Sequence, residues 1–281
     1  MRIDFHTHIF PDTLAPRALA ALIAGAKAQG KSCPPCTDGT ADGLRRLMQS
    51  CRVDKSVSLP IVTKLSQTPS VNRFAAERQS AEICCFGGVH PLDPDCVKIL
   101  EQLAQSGFRG VKVHPEFQQF TADSPKALAF FRKAEALGLL VCIHAGEDIG
   151  FPPPYHCTPR MLRHVLEYVH GDNIVAAHLG GFGMWDDVER ELVGTPIRMD
   201  TAFVGGFIEP AQYKRIIKSH GADKILFGSD APWQSPAEAY RHLSALGLPE
   251  DDLDKILWRN AAVLLNLSTD DPSECVRPNY S

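Results

Sequence analysis

Apolar positions along this chain of 281 residues alternate between two spacings. Short runs with the two-residue period of a β-strand cover 2–8, 55–62, 83–90, 110–114, 139–144, 174–178, 196–201 and 224–229. Between them lie longer stretches with apolar residues three and four apart, the period of an amphipathic helix: 42–51, 95–106, 125–137, 159–169 and 210–219. Asp123-Ser124-Pro125, Thr158-Pro159 and Ser235-Pro236 each set a capping residue before proline, a helix-start signal. Gly107, Gly138, Gly171 and Gly221 follow helical stretches just before the next strand, where a left-handed residue closes a helix. Eight strands alternating with helices predict an α/β chain folded as a single-domain (β/α)8 TIM barrel, with a doubly wound sheet as the weaker alternative. Two stretches break the alternation. Residues 25–42, rich in Lys, Gly, Ser, Pro and Cys, read as a long loop after a first strand and a short helix. Residues 268–281 lack any period and read as a surface tail, which places the barrel domain at 1–267.

The ends of the strands carry the chemistry. In a (β/α)8 barrel the active site forms at the C-terminal ends of the strands, and there stand His6, His8, His90, His114, His144, His178, Asp200 and Asp230. The other five of the eleven histidines fall in expected helices and loops. His6 and His8 are two apart on one strand, so both rings aim at one point. A lone histidine at a strand end is more often a hydrogen-bonded structural group, but several converging on one barrel mouth point to a metal. Imidazole and carboxylate suit zinc, manganese or iron.

Composition narrows the partners. A net charge of −4 with no basic block argues against nucleic acid, and no run approaches the roughly 18 apolar residues of a membrane span. Met1 leads straight into the first strand, which leaves no room for a signal peptide. The nine cysteines are scattered, several inside apolar runs, so a reduced, cytoplasmic setting is expected.

Four stretches, Ile3-Asp4-Phe5-His6-Thr7-His8-Ile9-Phe10-Pro11, Ile143-His144-Ala145-Gly146, Ala177-His178-Leu179-Gly180-Gly181 and Phe227-Gly228-Ser229-Asp230-Ala231-Pro232-Trp233, carry a family likeness in order along the chain. They resemble the amidohydrolase superfamily, and more closely the amidohydrolase-2 branch that includes aminocarboxymuconate-semialdehyde decarboxylase. Residues 260–267 look like that branch's C-terminal helix. The resemblance implies a mononuclear centre held by His6, His8, His144 and Asp230. His178 would then stand beside the metal rather than on it, as acid or base, with Asp230 also taking up a proton. One divalent metal is expected, zinc first, with Mn2+ or Fe2+ as alternatives. Metal-dependent hydrolysis of a small molecule is the leading function. The alternative is non-oxidative decarboxylation of a small unsaturated or aromatic carboxylic acid. A homodimer rests on family analogy alone.

Other residues stay open between roles. Lys112 and His114, two apart on the fourth strand, either bind substrate or join a second metal site, and filling the barrel is the plainer role for the lysine. His90 is either close to the site, facing substrate, or structural. A TatD-like deoxyribonuclease shares turns like those at 88–91 and 230–232, but carries Gly-Glu where this chain reads Gly110-Val111-Lys112. Cys33-Pro34-Pro35-Cys36 has no second cysteine pair nearby, so an incidental loop or a facultative disulfide outweighs a redox or zinc reading. Phe151 and the prolines after it form a stiff segment placed to roof the pocket.

Overall fold

The computed structural model describes residues 1–267, so the expected tail at 268–281 lies outside the described residues. In chain order the strands are β1 (Ile3–Thr7), β2 (Lys55–Ser58), β3 (Ile83–Cys85), β4 (Gly87–Gly88), β5 (Gly110–Val113), β6 (Leu140–Ile143), β7 (Ile174–Ala176), β8 (Arg198–Asp200) and β9 (Ile225–Leu226). All pair in parallel, β1-β2-β3 in one sheet and β4 through β9 in another. β3 and β4 are two halves of one expected strand, parted at Phe86, so each of the eight apolar runs contributes to the wall. The lower half pairs with β2 and the upper half with β5. The other seam closes through Phe5 N–H to Phe227 O at 2.7 Å, Asp230 N–H to His6 O at 2.8 Å and His8 N–H to Ala231 O at 2.7 Å. The result is a (β/α)8 barrel.

The two-residue period sorts side chains between two layers. Phe5, Val57, Leu59, Phe86, Leu140, Cys142 and Val175 fill the interior, with Ala261, Ala262 and Leu265 of the last helix packed against the same cluster. Val111, Val113, Val141, Ile143 and Ile174 instead meet the surrounding helices. Lys112, alternating with Val111 and Val113, is thereby placed inside, and it is fully buried.

Four expected helices are found at Ala41–Cys51, Cys96–Gln105, Pro125–Ala136 and Pro210–His220, and a fifth is shorter, at Pro159–Val165. Thr158 and Ser235 cap their helices by accepting from Met161 N and Glu238 N, whereas Ser124 makes no such bond. The long loop expected from residue 25 is corrected: the helix Ala15–Ala28 runs through Gly25. Ala24, Ala26, Lys27 and Ala28 favour helix strongly enough to offset one glycine, which costs about 1 kcal/mol. The helix Thr68–Arg78 was not anticipated, because its opening Thr68-Pro69-Ser70 reads as a turn.

The broken strand leaves backbone groups that buried amides satisfy. Asn72 donates to Gly88 O at 3.0 Å and accepts from Gly88 N at 2.7 Å. Gln79 does the same for Cys85, at 2.7 and 2.9 Å. Gln118 accepts from His114 N and donates to Val62 O and Val89 O, each at 2.8 Å. Asn72→Leu would leave both Gly88 groups buried without partners, at about 1–3 kcal/mol each. A thermal melt should therefore shift down by several degrees, and an unchanged melt would contradict this role.

His220 gives a pH dependence. It donates from Nε2 to Ile197 O at 2.8 Å and accepts at Nδ1 from Gly194 N at 3.3 Å, a pairing only the neutral ring can make. Burial pulls its pKa from 6.5 down to about 4. The unfolded chain thus binds the extra proton first, so stability present above pH 6.5 is lost as pH falls toward 4. The loss is on the order of 3 kcal/mol. Denaturant titrations at pH 7 and pH 4 should show it, and His220→Gln should reduce the difference.

Candidate metal centre

At the C-terminal end of β1 the register against β2 shifts between Asp4 and Thr7. Ile3 and Phe5 point into the barrel interior, and the irregularity then turns His6 and His8 to the same side, as bulges beside active sites do. The two rings lie 5.2 Å apart. His6 Nδ1 donates to Asp200 Oδ2 and His8 Nδ1 to Leu59 O, both at 2.8 Å. Each ring therefore turns a lone pair at Nε2 toward Asp230 Oδ1, 3.4 Å from His6 and 3.1 Å from His8. Three acceptors face one another, an arrangement that a cation resolves. The outer bonds are those that fix metal-binding histidines in other centres. The residues present fit a divalent metal.

Asp200 is fully committed elsewhere. Besides His6 it accepts from the backbone of His178 at 2.9 Å and of Ala202 at 3.1 Å. His178 and Asp230 both adopt left-handed backbone, with φ of 59° and 71°. Such conformations cost about 1–3 kcal/mol and persist where neighbours hold them. Here the holders are Asp200, for His178, and His6 O, for Asp230.

His178 donates from Nδ1 to Ala202 O at 2.8 Å, and its Nε2 lies 3.0 Å from His144 Nδ1. His144 Nε2 in turn lies 3.1 Å from Glu147 O. Two neutral rings carry two N–H groups for these three contacts. One junction accordingly needs an extra proton or a cation. His114 stacks on His144 at 4.1 Å and meets Asp148 at 3.2 Å, while its buried Nδ1 has no hydrogen-bond partner and lies 4.0 Å from Glu116 Oε2. Lys112 Nζ lies 3.3 Å from His6 Nε2. Burial first, then this lysine, drives the pKa of His6 and of His114 well below 6.5. Burial, then His114, does the same for His144. For Asp230 burial pushes upward, but the neighbouring His8, His6 and His178 together outweigh it and hold the carboxyl below its usual range.

The expected quartet is brought together only in part. His6, His8 and Asp230 offer ligand atoms within 4.8 Å of one another. His144 groups instead with His114 and Asp148. Asp148 and Glu147 were missed by sequence reasoning, although their place just past His144 was the available signal. His90 does not line the cavity; its Nδ1 accepts from Leu92 N at 3.2 Å. Cys33 lines the cavity and Cys36 is exposed, both as free thiols. Gly146, at φ 87°, lets this loop pass the backbone of Phe182, because a Cβ there would sit 2.2 Å from Phe182 N. The cavity over the centre measures about 490 Å3, and Phe151 stands in its wall as expected.

A family model described as Amidohydrolase matches residues 3–267. The chain belongs to the amidohydrolase family. It is an enzyme of that metal-dependent family, whose members act on small molecules. Comparison with curated proteins gives no match. Among solved structures, an uncharacterised TIM-barrel protein from Bordetella bronchiseptica superposes with a TM-score of 0.72 at 16% identity, covering 94% of this chain and 98% of that one. The 5-carboxyvanillate decarboxylase of Sphingomonas paucimobilis gives 0.67 at 16%, with 95% and 99% covered. A dihydroxybenzoic acid decarboxylase from Polaromonas, with bound manganese and the inhibitor 2-nitroresorcinol, gives 0.67 at 18%, with 95% and 98% covered. At these identities the likeness shows the shared barrel. Among the described residues, no helix is long and apolar enough to cross a membrane.

Metal content tests the ligand set. His6→Ala should lower the bound divalent metal well below the wild-type level, measured by elemental analysis after zinc or manganese loading. His178→Ala should leave it nearly unchanged. Loss of metal in the second variant would make His178 a ligand.

Proposed function

We propose that this protein is a metal-dependent hydrolase of a small molecule, with His178 as the base beside the centre. The observation that carries this reading is the His178 ring, whose Nδ1 donates to Ala202 O so that Nε2 keeps its lone pair beside His144 Nδ1, 3.0 Å away, with the ring centre 5.2 Å from that of His6. His6, His8 and Asp230 would hold the metal, with His144 completing the set. Zinc suits this nitrogen and oxygen donor set, and manganese or iron are compatible with it. Such a cation, when bound, acidifies water and polarises a carbonyl group.

The chain's own residues supply the rest. His178 Nε2 takes the proton released when water attacks and returns it to the leaving group. Asp200 fixes the ring partners through His6 Nδ1 and the His178 backbone, so the base needs little reorganisation. A substrate packed against the apolar walls would exclude bulk water and strengthen each charge interaction inside. A homodimer remains part of the proposal only by analogy with the family.

Decarboxylation is the second reading, favoured by two features. Lys112 stands at the cavity floor next to His6, where it can meet a carboxylate, and several solved structures that share the fold are decarboxylases.

Turnover of an ester, lactone and carboxylic acid panel in heavy-oxygen water separates the two. Hydrolysis must place the heavy oxygen in an organic product, whereas decarboxylation releases carbon dioxide and leaves that product unlabelled. His178→Ala should lower kcat by about 10²–10⁴-fold. Carbon dioxide release without label would overturn hydrolysis, and full activity in His178→Ala would remove its role as base.

A further inference from the structure

The walls of the cavity differ sharply from its floor. The floor holds the histidines, Asp230 and Lys112, whereas the upper walls are built from Leu14, Leu22, Val71, Phe74, Ile149 and Phe151. All six side chains are only half-buried, so apolar surface stays uncovered along the cavity. Among the described residues that line it, Lys112 is the one Lys or Arg. The acidic residues beside the floor are Glu147 and Asp148, the latter meeting His114 at 3.2 Å.

A second anionic group on a bound molecule would therefore meet no cation and two carboxylates. Lone carboxylates pay a heavy cost when moved into such apolar surroundings. An uncharged apolar body, in contrast, gains by covering the exposed walls. At about 490 Å3 the cavity falls within the roughly 300–1,000 Å3 range that encloses a drug-sized molecule.

We propose that the cavity selects small molecules with one polar or anionic end, seated at Lys112 and the metal centre, and an extended uncharged apolar body along these walls. The proposal rests on the reading of a small-molecule enzyme and narrows its substrate class. It disfavours compact dicarboxylates, whose second charge would be stranded against Glu147 and Asp148.

Calorimetric titration of zinc-loaded and metal-free protein with straight-chain monocarboxylates from butanoate to decanoate tests it. Each added methylene should tighten binding by about 3–4-fold until the cavity is filled. The dicarboxylate of equal length should bind at least about 10-fold more weakly than the monocarboxylate, the step that 1.4 kcal/mol produces. Ala21→Trp, which adds bulk to the cavity wall on the helix Ala15–Ala28, should cancel the gain for the longer acids, with circular dichroism checking its fold. Affinity independent of chain length, or dicarboxylates that match the monocarboxylates, would overturn the proposal. Chain-length dependence in the metal-free protein supports it even if the protein holds no metal, the result that would sink the hydrolase reading instead.

Discussion

The Asp200 carboxylate ties together both sides of the site. One oxygen fixes His6 in the tautomer that presents Nε2, and the other takes the backbone N–H groups of His178 and Ala202. Burial raises its pKa, and the His178 ring opposes that rise. Three donors keep the carboxylate useful in a position without exposure. If it were lost, His6 would be free to turn its ring and the left-handed turn at His178 would lose its holder. The positions of His8, Asp230 and His144 have meaning only against that frame.

The barrel itself was largely legible, because strand and helix periods differ and each buried face must be apolar. The broken third strand was not. Its apolar run at 83–90 reads as continuous, and only the side-chain amides of Asn72 and Gln79, from the helix before it and the turn that follows that helix, show where the ladder is interrupted. The helix extended past Gly25 for a similar reason: local propensity on both sides outweighed one residue that sequence reading treats as a break.

The candidate site was legible as a set of residues and less so as a geometry. Histidines two apart at the end of β1 do converge, although a register shift rather than simple alternation directs them. The resemblance placed His144 with His6, His8 and Asp230, whereas here its Nε2 sits by Glu147 O and its Nδ1 by His178. Such choices depend on loop carbonyls and on which ring nitrogen is occupied, and neither leaves a mark on residue identity. Asp148 had gone unnoticed because carboxylates just past a strand are common and their direction is set by the loop.

The central claim is that His6 and His8, with Asp230, bind one divalent metal through nitrogen and oxygen. A rival set on these strands, His6 with Cys142 and Asp200, also brings ligand atoms within 4.8 Å. X-ray absorption spectroscopy of the zinc-loaded protein separates them. The account predicts a shell of nitrogen and oxygen at about 2.0–2.2 Å with the outer scattering of at least two imidazoles. A sulfur neighbour at about 2.3 Å, or a spectrum without imidazole, would contradict it.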